Sequence, residues 1–286
     1  MPKVKYLKRE DFNIIYRLYS KQSWLCDKED CLIDLLALCS NESEKKLLID
    51  LLNDFSFLDL KLLNYYLGLI ADFIVNESGF KEETTQISAI TYDDEADSSQ
   101  KILDHLKMPI FKTGWSNVKT VNRFGAIPRN FNAGKKQIIF VDEFVGSGKT
   151  ILSRIKQLKN DIGNEFELKL CFVAGMEHGL KSIEKLGYEV FCPLRFPKGI
   201  SDRYVGEELK FAEDTMLELE LKLAENVNDH QLLDYSFGYN KAEALYSLES
   251  CSGNTPNSVF PIFWWPRDKK NNQRNTLLTR FEKGLK

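Results

Sequence analysis

The chain has 286 residues, 43% hydrophobic and 12% aromatic, enough for one large or two ordinary domains around a substantial core. Its 39 Lys and Arg against 42 Asp and Glu leave a formal charge of -3, which excludes the global basic excess that drives nonspecific nucleic-acid binding and leaves only a local basic patch open. No apolar run reaches the ~18 residues of a membrane span, and the nearest, "YYLGLIADFIV" at 65–75, is too short, so no membrane partner is expected. The start "MPKVKYLKRE" lacks the apolar centre of a signal peptide, and Cys26, Cys31, Cys39, Cys171, Cys192 and Cys251 form no CxxC pair. A reduced, cytoplasmic setting is the expectation. Cys26, Asp27 and Cys31 can be drawn as half a metal site, but the downstream Cys/His pair is missing and buried thiols fit better.

Residues 10–75 carry helical spacing: Leu32, Leu35, Leu36 and Leu38, then Leu47, Leu48, Leu51 and Leu52, recur at three and four. Breaks at "CSNESE" and "NDFSFLD" punctuate this into three or four helices, and we expect a helical subdomain over residues 1–80. From residue 84 strands alternate with helices. "TTQISAITY" reads as a strand, "DDEADSS" as a polar loop, and "QKILDHLK" as a helix capped by Ser98 or Ser99. A short apolar piece at 108–111 and a polar, basic stretch at 112–136 lead to a strand over Ile138 to Val141. Then follow helix "TILSRIKQLKN", strand "FELKLCFVAG", helix "GLKSIEKLG" and strand "YEVFCPL". This alternation predicts an α/β fold, a doubly wound and mainly parallel sheet covered on both faces, within a domain over 81–286. "EELKFAEDTMLELELKLAENV" is either a long amphipathic helix or a solvated acidic face, and "NDHQLLDYSFGYNKAEALYSL" supplies another helix. The closing "SGNTPNSVFPIFWWPRDKKNNQRN" mixes Asn, Pro, aromatics and bases and cannot be an ordinary helix.

The stretch "QIIFVDEFVGSGKT", 137–150, joins an acidic strand end to a glycine loop. A nucleotide-hydrolysing P-loop requires Gly-x-x-x-x-Gly-Lys-Ser/Thr, and Glu143 stands where its first glycine must turn the backbone toward phosphate. Its magnesium acid would end a later strand, yet "LKLCFVAGMEHG" ends in Ala174 and Gly175, with Glu177 a weak substitute. That alternative, an NTPase dependent on Lys149, fits poorly.

The contiguous order suits a different phosphate site. A buried parallel strand delivers Asp142 and Glu143 to its carboxyl end, where α/β sheets bind ligands, and carboxylates accept paired hydrogen bonds from vicinal ribose hydroxyls. The loop then opens a helix, so the N–H groups of Gly146, Ser147, Gly148, Lys149 and Thr150, the two hydroxyls and the Lys149 cation suit a 5-phosphate. An ordinary strand-to-helix turn capped by Ser147 has the same local sequence. His178, in "GMEHG", follows another strand end and is either a proton carrier or a surface histidine.

Ile138 to Thr150 resembles, over all thirteen positions in type or nearly so, the phosphoribosyl-pyrophosphate (PRPP) motif of type I phosphoribosyltransferases. The resemblance puts a pyrophosphate loop at "YDDEADSSQ", with Asp93, Asp94, Ser98 and Ser99; Asp93, Asp94, Glu95 and Asp97 would repel pyrophosphate unless Mg2+ bridges them. It puts the family's mobile active-site loop at "WSNVKTVNRFGAIPRNFNAGKK", where Lys119, Arg123 and Arg129 would neutralise the departing group, and it implies indirect magnesium contact through Asp142 and Glu143. With the helical N-terminal region and "GNTPNSVFPIFWWP", the chain resembles, over roughly 20–268, the phosphoribosyltransferase-like effectors of bacterial conflict systems, some encoded beside retron reverse transcriptases. That likeness implies a C-terminal hood from about residue 205, with Asn254, Thr255, Pro256 and Asn257 forming a polar turn and Trp264 or Trp265 stacking on a base, unless the Trp pair is buried instead. It further implies an antiphage effector, a toxin acting at the anomeric carbon of PRPP or a related nucleotide. Its partners would be a reverse transcriptase with its RNA–DNA product or another defence-system protein. A catalytically weak, nucleotide-sensing module is the alternative, favoured by the acidic first loop.

Overall fold

The computed structural model describes residues 9–91, 98–249 and 254–285. In chain order they form helices α1 (Arg9–Lys21), α2 (Glu29–Ala37) and α3 (Glu42–Asn53), strand β1 (Ser56–Leu58), α4 (Leu60–Asp72), β2 (Thr85–Ala89), α5 (Ser98–Thr113), β3 (Lys119–Val121), α6 (Ile127–Asn132), β4 (Gln137–Val145) and α7 (Lys149–Ile162). Then come β5 (Glu167–Met176), α8 (Glu177–Glu184), β6 (Glu189–Phe191), β7 (Leu194–Phe196), α9 (Gly206–Glu220), β8 (Asn226–Val227), β9 (His230–Gln231), α10 (Leu232–Tyr235) and β10 (Tyr246–Leu248). None of the described helices is long and apolar enough to cross a membrane.

Two compact units share these elements. One is Leu58–Pro197; the other joins the described residues up to Phe57 to those from Lys198 onward. The sequence suggested a division at residue 80, whereas α4 belongs with the sheet. Its Leu63, Leu67, Ile70 and Ala71 are buried, and the helix packs on α5 and β5.

The sheet unit is doubly wound and parallel, as its alternating pattern predicts. Strand order is β3-β2-β4-β5-β6, with β7 also pairing to β5. All these strand pairs are parallel, with Ser88 opposite Val121 and Phe140, and Phe140 opposite Leu170. Ile138, Phe140, Leu170 and Phe172 face a core closed by Ile151, Ile155 and Leu158 of α7 and Leu180 and Ile183 of α8. Alternation sends Ile139 and Val141 to the opposite face, where α5 packs on β4. Both faces are therefore covered, which is why β4 reads as a nearly continuous apolar run.

Local departures have local causes. The apolar piece at 108–111 is the end of α5, which runs on through Pro109 to Thr113. Proline removes one backbone hydrogen bond there, but Leu103, Leu106 and Ile110 recur at three and four and are all buried, so tertiary packing holds the last turn in place. The strand expected over "YEVFCPL" is split into β6 and β7 at Cys192 and Pro193, since proline donates no ladder hydrogen bond. The basic stretch after residue 112 becomes edge strand β3 and the short helix α6, a structured crossover in place of the expected loop.

In the other unit, Asn41 caps α3 by accepting from Glu44 N at 2.9 Å, and Glu44 reaches back to Ser40 N at 2.5 Å. The buried Glu44 carboxylate is paired with Lys222, whose ammonium also donates to Leu38 O at 3.0 Å and Ser40 Oγ at 2.9 Å. The long helix expected at 207–227 ends at Glu220, where its carboxylate turns to accept from Phe237 N at 3.0 Å and Ser236 Oγ at 2.6 Å. The next expected helix shrinks to α10. Phe237, Asn240, Lys241 and Glu243 all take positive φ, which no helix tolerates, and Glu243 holds that bend by accepting from Ile200 N at 2.9 Å and Ser201 N at 2.7 Å. The closing segment is irregular, as its composition requires, with a 3-10 turn at Pro261–Phe263.

Candidate functional site

β2 connects toward β3 on one side, while β4 connects toward β5 on the other, so the strand order reverses between β2 and β4. The crevice outside their carboxyl ends is where open α/β sheets bind ligands. Ile138, Ile139, Phe140 and Val141 are buried and carry β4 to that edge, where Asp142 is half-buried opposite Phe172 of β5. At the end of β2, the Ser99 hydroxyl accepts from Ile90 N at 3.2 Å and lies 2.8 Å from Thr91 Oγ1, tying the start of α5 to the strand. Ser98 Oγ then donates to Asp142 Oδ1 at 3.3 Å, and Glu143 N donates to the same oxygen at 2.7 Å. Two predicted site segments thus meet in the structure. Asp93, Asp94, Glu95 and Asp97 lie outside the described residues.

The loop after β4 is shaped by glycine. Gly148 occupies the N-cap position of α7 in the left-handed region, with φ +79 and no side chain to cap the helix, so Ser147 does not hold the capping position of an ordinary turn. Ser147 is half-buried, and Lys149 and Thr150 are exposed in the first helical turn. The backbone N–H groups that open a helix carry its positive dipole end, which favours an anion there.

A second glycine, which the sequence pattern did not single out, fixes this loop from below. A Cβ on Gly179 of α8 would stand 2.0 Å from Gly146 O, and one on Gly148 would stand 2.9 Å from Gly179 O. The two backbones therefore touch. The available signal was a glycine opening the expected helix "GLKSIEKLG", where its lack of a side chain permits close backbone approach. His178 beside it is half-buried in the first turn of α8.

Glu143 differs from its expected role. Its carboxyl is 2% exposed, and Oε1 has no hydrogen-bond partner among the described residues. Burial lifts it well above the ordinary glutamate value of 4.5, Asp142 adds to the rise, and Lys101 opposes it. A carboxyl buried this deeply does not face a ribose in this conformation. The folded state holds a proton that the unfolded chain releases near 4.5, so this stability is fully present below that pH and is lost as pH rises from there through the raised value. Glu143→Gln should therefore gain on the wild type by up to about 1.4 kcal/mol per pH unit in that window. Urea denaturation at several pH values checks this; a difference independent of pH would show that Glu143 is ionised in the fold.

The predicted cations are less concentrated. Lys119 is exposed and pairs with Gln86, toward the amino end of β2, whereas Arg123 is exposed just beyond the carboxyl end of β3. Arg129 is exposed on α6. Lys119 therefore lies at the wrong end of its strand to meet a leaving group at the crevice. Arg154, not anticipated, donates to Ile90 O at 3.1 Å and so steadies the β2 edge.

The C-terminal residues are engaged within the other unit. Trp264 and Trp265 are 2% and 0% exposed, and their indoles donate to Val259 O at 2.9 Å and Ala224 O at 3.0 Å. No ring face remains for a base, which corrects the stacking expectation in favour of burial. Asn254 exchanges two hydrogen bonds with the backbone of Phe281, at 2.7 and 2.8 Å, and Asn257 O accepts from Tyr239 N at 2.8 Å. This polar turn secures the tail of the chain. Among the cysteines, Cys171 and Cys192 are buried, but Cys26 is exposed, and no metal-holding cluster of His, Cys, Asp and Glu occurs among the described residues.

No curated protein matches the chain. Solved structures similar to part of it include orotate phosphoribosyltransferase of Mycobacterium tuberculosis H37Rv in complex with PRPP, at 12% identity over 46% of this chain and 73% of that one, with TM-score 0.30. Hypoxanthine-guanine phosphoribosyltransferase of Schistosoma mansoni in complex with IMP shares 18% identity over 51% and 67%, with TM-score 0.31. A hypothetical protein of Neisseria gonorrhoeae with bound ppGpp shares 11% over 56% and 97%, with TM-score 0.34. The model of the PRTase-CE family matches residues 21–280, a span that includes the whole switch-point site, and the chain belongs to that family.

Proposed function

We propose that the protein binds PRPP or a related ribosyl phosphate at the switch point and acts at its anomeric carbon. The observation that carries this reading is the contact between Ser98 and Asp142, which brings the start of α5 to the acid of β4 beside the glycine loop. Asp142 accepts from the ribose hydroxyls, the Gly146 to Thr150 backbone holds the 5-phosphate, and Ser98 flanks the pyrophosphate, while the fully buried Ser99 only fixes the start of α5 to β2. In transfer or cleavage the C1–oxygen bond to pyrophosphate breaks, positive charge spreads over C1 and the ring oxygen, and an acceptor or water adds at C1. The chain's contribution is to orient the ribose and to exclude alternative poses. Arg123 is the nearer candidate for stabilising the departing charge.

Magnesium fits this site only in part. Asp142 is the one half-buried carboxylate supplied there by the described residues, and Glu143, buried, presents no oxygen to the crevice. When bound, such an ion would be held on the protein side by Asp142 and would neutralise pyrophosphate charge.

Isothermal titration with PRPP and magnesium, beside ATP and NAD, tests the reading. Binding of PRPP that is lost in Asp142→Asn supports it, with an expected drop of at least about tenfold for one charged hydrogen-bonding partner. ATP bound in a Lys149-dependent way, with PRPP ignored, would replace it with a nucleotide hydrolase. The burial of Glu143 favours a second reading, a ribosyl-nucleotide sensor with little turnover; PRPP binding without any product formation would select it. An antiphage effector role, restrained by a reverse transcriptase with its RNA–DNA product or by another defence-system protein, is supported by the sequence resemblance alone. Toxicity in cells that disappears in Asp142→Asn is its expected signature.

A further inference from the structure

Ile90, the residue that follows β2, is buried and ties two helices together. Its N–H donates to Ser99 Oγ at the start of α5, at 3.2 Å, and its carbonyl accepts from Arg154 Nε of α7 at 3.1 Å. Arg154 stands four positions after Thr150, about one turn along the helix that the glycine loop opens. The starts of α5 and α7 are thus fixed to the two peptide groups of one residue, within one compact unit.

The same guanidinium reaches the segment after β3. Its carbon lies 5.9 Å from the centre of the Phe124 ring, within reach of a cation–π contact. Phe124 is fully buried, packs on Phe140 of β4 with ring centroids 5.8 Å apart, and donates its N–H to Thr91 O at 2.9 Å. Gln100 Nε2 donates to Asn122 O at 3.1 Å, so Arg123 is flanked by two held neighbours. Arginine suits this place where lysine does not, because its planar group donates at the edge while presenting a face to the ring.

We infer that Arg154 is a positioning residue that sets the separation between the 5-phosphate cradle and the start of α5, and so favours a ligand spanning both over one filling either alone. The inference rests on the ribosyl-phosphate reading and deepens it. Arg154 is half-buried and engaged with protein groups, so it acts on the ligand through what it holds. Two anionic ends joined by a ribose reinforce each other only where both cradles stand at the ligand's own span.

The test compares PRPP with ribose 5-phosphate by isothermal titration, each with magnesium, on the wild type, Arg154→Met and Arg154→Lys. PRPP affinity should fall by about tenfold or more in Arg154→Met while ribose 5-phosphate affinity is unchanged. Arg154→Lys, which keeps a cation near Phe124, should lose less, and it gives the same comparison if the methionine variant does not fold. Without ligand, amide hydrogen exchange at Phe124 should be faster in Arg154→Met, since the clasp around its bond to Thr91 is opened. Equal losses for both ligands would overturn the inference, because Arg154 would then support the glycine loop alone. Unchanged exchange at Phe124 would overturn it too. PRPP bound by the wild type and equally by Arg154→Met would overturn the inference and leave the ribosyl-phosphate reading standing. A wild type that binds neither ligand would overturn both.

Discussion

Gly179→Ala is expected to weaken ribosyl-phosphate binding sharply while leaving every side chain predicted to touch the ligand in place. The added Cβ would stand 2.0 Å from Gly146 O and 3.1 Å from the Ser147 carbonyl carbon, both backbone atoms of the loop. Neither can rotate away, so the loop or α8 must move. Overpacking of this kind costs about 1–3 kcal/mol, and a displacement of about 1 Å in a positioning element costs about 100-fold in rate. Titration with PRPP and a urea midpoint together check the expectation. Affinity should fall by about tenfold or more, with a moderate loss of stability on the scale of that overpacking cost. Retained affinity would mean that the Gly146–Gly148 loop is not the phosphate cradle. Ser182→Ala is the control: its hydroxyl donates to Gly179 O at 2.6 Å, so its loss should loosen the same contact without a clash and cost far less.

Trp265→Ala should cost about 3–5 kcal/mol of stability and leave ligand affinity unchanged. The side chain is fully buried, lies 5.6 Å from both Trp264 and Tyr235 by ring centroids, and donates to Ala224 O. Truncation opens a cavity too well framed to collapse and strands the Ala224 carbonyl. Trp265→Phe keeps most of the apolar volume and removes only the donor, so it should cost roughly 1–3 kcal/mol. The pair of variants separates packing from hydrogen bonding. A fall in PRPP affinity with stability intact would return this tryptophan to the ligand.

Much of the sheet unit was legible in the sequence because its signals are local. Ile138 to Val141 is a run of β-branched and aromatic residues ending in acids and a glycine loop, and that order specifies a buried strand turning into a helix. The alternation around it specified a doubly wound sheet. The C-terminal region was harder to read, since Phe237, Asn240, Lys241 and Glu243 adopt positive φ that their residue types do not announce. There, apolar spacing suggested a helix, and long-range hydrogen bonds to Ile200 and Ser201 overrode it.

By itself, then, the sequence determined which residues form the acidic strand end, the glycine loop and the helix that follows, because each depends on neighbours a few positions away. Only the tertiary structure decided that Ser98 meets Asp142 across 44 residues, that Gly179 supports Gly146, that Glu143 is buried, and that both tryptophans belong to the core. Those outcomes depend on strand order and on which surfaces pack together, and a one-dimensional spacing carries neither.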